Sequence, residues 1–223
     1  MPLAGTGLLV NCMDIDPEHE PDFNRWYDKE HLAERVAIAG FLEARRYIAH
    51  QAPVKYLALY TTETFDVLSS PPYRERVAHQ TQWSLDNIAR FRNATRALVR
   101  VGASQGQGRG SAIVFARLRP SGPEASSLRN RIAERFPETI ARDGIVSVHL
   151  LESDPELSQP LSGADAASNG AGDWYVVIDG TGVEAVRSAC EDALRPDQLE
   201  GAKLIWTGTY RLLWDLSKAE LAA

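Results

Sequence analysis

The sequence predicts an α+β protein made of two βαββαβ units in tandem, with their antiparallel sheets packed face to face. Three observations predict it. Gly5-Thr6-Gly7 followed by LLVNCMDIDPE returns 103 residues later as Gly108-Arg109-Gly110 followed by SAIVFARLRPSGPE, each a Gly-x-Gly, an apolar run and a Pro-containing turn. Apolar alternation, helical spacing and turn residues run strand, helix, strand, strand, helix, strand in both halves. Between them, residues 102–110 have the Gly/Ser/Gln composition of a linker, which sets a boundary between a unit of residues 1–103 and one of residues 104–223.

In the first half, residues 8–14 are β-rich, 21–39 are helical, and Gly40 stops that helix. Strands over 41–50 and 55–61 flank Gln51-Ala52-Pro53-Val54, a hairpin connection. Ser69-Ser70-Pro71-Pro72 caps and starts helical material running to about Phe91, and a strand over 95–101 ends the unit. The second half repeats the order, with strands near 111–119, 144–152, 173–179 and 203–214 and helices near 123–141 and 181–194. Residues 153–172, rich in Pro, Ser, Gly and Ala, read as a surface excursion. Two such units are the ferredoxin-like arrangement given twice. Helices cover one face of each sheet, so the bare faces need each other, as in a pseudo-dimeric α/β barrel.

Composition narrows the function. Hydrophobic residues make up 44% and charged residues 24%, ordinary values for a chain that folds in water. Twenty-four Lys plus Arg against 30 Asp plus Glu give a net charge of −6, so a nucleic-acid partner is not expected. No run is long and apolar enough for a membrane span, and the first residues lack signal-peptide character, so a cytoplasmic location is the expectation. Cys12 and Cys190 are far apart and read as small buried hydrophobes. The Gly-x-Gly motifs precede strands, whereas a dinucleotide fingerprint follows one. The five histidines show no metal-ligand spacing. Neither a cofactor nor a metal is expected.

The first helix carries the most unusual chemistry. At about 100° per residue, Phe23, Trp26, Tyr27, Ala37 and Ile38 group on one side. Glu30 and Glu34 fall in the middle of that side, and His31 sits on its flank one turn before Arg35. A Glu among aromatic rings loses hydration and its pKa rises, which tunes a carboxyl for proton transfer. His31 titrates near neutrality without tuning, and Asp28 or Glu34 is placed to fix its tautomer. The plainer alternative has the two Glu side chains curling out to solvent and His31 satisfied in a partly buried site.

On the strands, Tyr56, Ala58 and Tyr60 share one face and Leu57 and Leu59 the other. Arg45 and Arg46 alternate, so one faces inward and the other is solvated; the reading makes Arg46 the inner one, wanting a carboxylate. Asp14 starts the turn through Asp16-Pro17. His79, Trp83, Asn87 and Arg90 recur at helical spacing, with Trp83 as core or cleft wall and His79 as a capping or surface residue. His19 and His149 are weaker candidates.

The segment Phe23-Asn24-Arg25-Trp26-Tyr27-Asp28-Lys29-Glu30-His31-Leu32, followed by Gly40-Phe41-Leu42-Glu43-Ala44-Arg45-Arg46-Tyr47, resembles the EthD-like branch of the dimeric α/β-barrel superfamily. The Trp-Tyr-x-x-Glu-His block is its most specific part. The resemblance covers about residues 7–103; the second half matches by strand order alone. It implies a site between sheet and helices and a cofactor-independent small-molecule enzyme of isomerase, dehydratase, decarboxylase or monooxygenase type. Such an enzyme acts on an aromatic or polyketide-like compound. His31 and Glu30 would be catalytic, and Trp26, Tyr27, Glu34, Arg35, Arg46, Tyr60 and Trp83 would bind substrate. The alternatives are a non-catalytic small-ligand or haem-binding, stress-response module, and a purely structural oligomer-forming protein; a homo-oligomer beyond the intrachain pairing stays open. At the place of the Trp-Tyr-x-x-Glu-His helix the second half has Leu128-Arg129-Asn130-Arg131-Ile132-Ala133-Glu134-Arg135-Phe136, without the His or the aromatic pair. One functional cleft, in residues 1–103, is therefore expected.

Overall fold

A computed structural model describes residues 3–121, 125–159, 170–195 and 199–221. Eight strands form one closed antiparallel barrel: β1 (Gly7–Asp14), β2 (Phe41–Gln51), β3 (Tyr56–Thr62), β4 (Arg92–Gly106), β5 (Ala112–Pro120), β6 (Ile145–Ser153), β7 (Trp174–Gly180) and β8 (Ala202–Ser217). Around the ring the order is β1-β3-β2-β8-β5-β7-β6-β4, returning to β1. The first four strands are thus contiguous, as are the last four. The two sets join edge to edge at β2–β8 and β4–β6, and their faces meet across the barrel interior.

Helices lie outside. A continuous helical segment consists of α1 (Glu20–Trp26), a π-helical turn (Tyr27–His31) and α2 (Leu32–Ala37). Gly40, at φ +82°, turns the chain from this segment into β2; a Cβ there would collide with Val67. The later helical material is α3 (Pro71–Ala78) and α4 (Gln82–Ala89), each opened by a hydroxyl cap, Ser70 and Thr81. The second half carries α5 (Ala125–Ala133), α6 (Phe136–Ile140) and α7 (Val183–Ala193).

Three cores follow from this layering. Leu8, Val10, Cys12, Leu57, Leu59 and Phe115 belong to the barrel interior. A first-half outer core gathers Phe23, Trp26, Tyr27, Tyr56 and Tyr60 under α1 and α2, and a second lies under α5, α6 and α7. On β3 and β7 strand alternation therefore sends side chains to one core or the other, not to core or water, and every residue of these two strands is buried.

This corrects the reading of the arginine pair. Both are buried, Arg45 at 1% and Arg46 at 2% exposure. Arg45, not Arg46, points into the barrel, where its Nη1 lies 3.0 Å from Asp179 Oδ2 and its Nε 3.8 Å from Glu43. Arg46 points into the layer between sheet and helices. Burial opposes the Arg45 charge, but Tyr47, Asp179 and Glu43 outweigh it and raise its pKa. The stretch expected as a linker is strand as far as Gly106, pairing with β6 through Gly106↔Ser147. Of the expected surface excursion, residues 160–169 lie outside the described residues.

Candidate functional site

The π turn decides which side chains reach the site. A π turn spends an extra residue, so everything after it rotates by about 100° relative to a regular helical wheel. His31, expected on the flank, turns into the aromatic face and is buried at 4% exposure. Its ring lies 4.0 Å from that of Trp26, 5.1 Å from Tyr27 and 6.2 Å from Tyr60, centroid to centroid. Glu30 and Glu34, expected among the rings, turn out of them. Glu30 accepts hydrogen bonds from Thr81 Oγ1 (2.6 Å) and Ser84 Oγ (3.3 Å) on the first turn of α4, and the Trp26 indole donates to the same Ser84 at 3.1 Å. Glu34 lies 3.6 Å from Arg76.

Arg46 approaches the same aromatic cluster from β2. Its guanidinium carbon sits 4.3 Å from the Tyr27 ring centroid and about 5 Å from those of Phe23 and Tyr56. Nη1 donates to Asp28 (3.1 Å) and Nη2 to Asn24 (2.5 Å). Asp28 also accepts from the Trp214 indole at 2.9 Å. Trp214 pairs with Arg46 across the β2–β8 seam, so the distant half buttresses the site. Asp28 and Glu34 do not fix the His31 tautomer as expected: both are taken by arginines.

Four buried polar atoms in this cluster have no hydrogen-bond partner: His31 Nδ1, Arg35 Nη1, Arg46 Nε and the Tyr60 hydroxyl. Arg35 donates through Nη2 to Gln80 at 3.2 Å and leaves Nη1 unused. The Tyr60 hydroxyl lies near that of Tyr27 without a hydrogen bond of normal geometry. Tyr27 itself donates toward Met13 Sδ at 3.9 Å. Burial, reinforced by Arg35 and then Arg46, holds the His31 pKa well below 6.5, so the imidazole is neutral at pH 7. Burial, with Tyr27 adding to it, pushes the Tyr60 hydroxyl well above 10 and keeps it protonated. An oxygen anion would be received here by two guanidiniums and a phenol, beside a neutral imidazole.

Trp83, expected as core or cleft wall, packs partly buried against the first-half outer core. Its indole donates to Asp22 (3.1 Å), which also takes Asn87 and Arg90 and so ties α1 to α4. His79 ends α3 and bonds to the Glu75 carbonyl, the capping role expected of it. Asp14, at the end of β1, accepts from the Lys55 backbone N–H and from Asn93, so its side chain ties β1 to the start of β3 and to β4 and not to the turn through Asp16-Pro17. His149 is bonded at both ring nitrogens, to Ser104 (2.8 Å) and Ser147 (3.1 Å). Burial, with Arg45 adding to it, depresses its pKa to about 3, which makes the Ser104–His149 pair a poor nucleophile and base. Haem ligation needs an accessible imidazole nitrogen. His149 has both occupied, so it does not fit as an axial ligand. Sequence reasoning missed Asn24 and Trp214; no local signal marks a residue 168 positions from its partner's strand position at Arg46.

No family model and no curated protein matches the sequence. Solved structures match in shape. An anthrone oxidase-like protein superposes with a TM-score of 0.67 over 98% of this chain and 95% of its own, at 10% identity. A candidate monooxygenase from Fusobacterium nucleatum gives 0.58 over 97% and 96%, at 11% identity. One from Lactobacillus acidophilus gives 0.56 over 96% and 97%, at 7% identity. At such identity the likeness is one of fold.

Proposed function

We propose that this chain, whose fold is that of the dimeric α/β-barrel proteins, is a small-molecule enzyme with its site between α1–α2 and the outer face of β2 and β3. In this reading it is a fused pair of ferredoxin-like units, residues 1–103 and 104–223, with the first unit EthD-like and carrying the chemistry. The strand order, four contiguous strands from each half, supports the fusion. The names of its structural neighbours, monooxygenase and anthrone oxidase-like, favour an enzyme over a purely structural protein.

The observation that carries the reading is the group of four unpartnered buried polar atoms. Buried polar groups are nearly always satisfied, and four open ones that combine two guanidiniums, a phenol and an imidazole in one place suit the oxygen of a ligand. Two of the atoms belong to guanidiniums, which suits a carboxylate, enolate or phenolate on an aromatic body lying against Trp26 and Tyr27. His31 Nδ1 accepts a proton from a carbon or hydroxyl of the substrate. The released electron pair moves onto the substrate oxygen, where Arg46 and Arg35 stabilise it, and return of the proton to another atom completes an isomerisation. The step is coupled to binding: an anion between the arginines offsets the field that depresses His31 and makes it a better base. Glu30, bound to α4, serves as a positioning residue in this scheme.

The test is a screen of aromatic acids and lactones for binding and turnover, followed by His31→Gln and Arg46→Met. Turnover lost in His31→Gln with binding retained, and binding lost in Arg46→Met, is the expected pattern. Unchanged turnover in His31→Gln would sink the assignment.

A further inference from the structure

A cavity of about 320 Å³ lies in the second half, between α7 and the outer face of β5 and β8. Its floor is apolar, built from Val114, Cys190, Leu194 and Leu204, and Gln51, Thr207 and Thr209 stand around it from the β2–β8 seam. The seam is tight: a Cβ on Gly208 would collide with Ala52, so glycine lets the two strands close beside the cavity. Val114, Cys190 and Leu194 belong to the second-half outer core, so the cleft brings core apolar side chains within reach of solvent and of a ligand. Its volume is within the range of small-molecule pockets.

Arg187 is the one cation among the described lining residues, and each of its three nitrogens already reaches a carboxylate. Nη1 reaches Glu191 at 2.7 Å, while Nε and Nη2 reach Glu184 at 3.2 and 2.6 Å. The guanidinium and both carboxylates are paired with one another and open to solvent, so a ligand of either charge gains little from them beyond the apolar floor. The Thr207 hydroxyl and the Gln51 amide offer neutral hydrogen-bonding groups, while the Thr209 hydroxyl is taken by the Gln51 backbone carbonyl and the His50 ring. We infer that this cavity is a second small-molecule site, independent of the His31 cluster, which takes an uncharged ligand with an apolar body and one hydroxyl or carbonyl group. The two halves then recognise opposite chemistries, oxygen anions in the first and neutral molecules in the second.

The experiment titrates the full chain with benzyl alcohol, benzoate and benzylammonium and follows backbone amide shifts by NMR. Benzyl alcohol is expected to saturate shifts at Leu194, Leu204 and Thr207–Thr209, with benzoate and benzylammonium at least tenfold weaker there; benzylammonium bound as tightly as the alcohol overturns the assignment of an uncharged ligand. Thr207→Trp, a substitution at an exposed position on the cavity rim, is expected to abolish those shifts, and His31→Ala to leave them unchanged. No saturable shift with benzyl alcohol overturns the proposal, as does binding that survives Thr207→Trp. Benzoate binding at this cavity as tightly as the alcohol overturns the charge assignment. Loss of benzoate shifts around Trp26–Arg35 bears only on the first-half site.

Discussion

Lowering the pH from 7 to 5 should destabilise this protein through His149, by an amount that can be worked out in advance. In the fold, His149 is 1% exposed and bonded at both ring nitrogens. Ser147 donates its own hydrogen to the Gly108 carbonyl, so it accepts from His149 Nε2, and Nδ1 is left to accept from Ser104. The imidazole is therefore neutral, with its pKa depressed to about 3, whereas in the unfolded chain it titrates near 6.5. Between those values the unfolded state binds a proton that the folded state refuses, so stability falls as pH falls. One refused proton costs about 2 kcal/mol at pH 5, a sizeable share of the roughly 5–15 kcal/mol that holds a domain folded. His31, depressed in the same direction, adds to the loss. Urea denaturation at pH 7, 6 and 5 measures it. His149→Gln changes the absolute stability by an unrelated packing amount, but its profile across this range should be flatter than that of the wild type by about 2 kcal/mol. Parallel profiles for the two proteins would refute the reasoning.

The pKa of His31, followed by NMR, should lie below 6.5 in the free protein and rise when benzoate occupies the first-half site, because the anion offsets the fields of Arg35 and Arg46. Arg45→Met and Asp179→Leu should each cost about 3–5 kcal/mol by stranding a buried charge, and the double variant should cost well under the sum of the two in urea titrations. Glu30→Gln should lower stability by about 1–2 kcal/mol through its weakened bonds to Thr81 and Ser84 and, because those bonds seat the turn that carries His31, lower turnover of a discovered substrate several-fold without abolishing it. Trp214→Phe removes the indole bond that steadies Asp28 and should weaken benzoate binding several-fold without altering the circular dichroism spectrum.

Much of this was legible in the sequence. The strand and helix order came from alternation, capping residues and the repeat, and the Tyr56/Ala58/Tyr60 face was sorted correctly by parity. Three things were not legible, each for a physical reason. Regular helical geometry does not announce a π turn, so the wheel misplaced Glu30, His31 and Glu34 by one residue's rotation. The expectation that one of two alternating arginines must meet water holds for a sheet with a wet face, and β2 is buried on both faces from Glu43 to Tyr47. The pairing of Arg46 with Trp214 depends on how a seam closes, and no local pattern encodes that register.

The closed ring has a consequence for how such a molecule can change. A sheet completed by two identical chains must accept every substitution twice, so a residue suited to one cleft is imposed on the other. Here both arcs of the ring belong to a single chain, and each can drift alone while the seams β2–β8 and β4–β6 keep them joined. The cost of that freedom is dependence: cut apart, either arc would expose two bare strand edges, β2 and β4 or β8 and β6, ready to pair with any available strand.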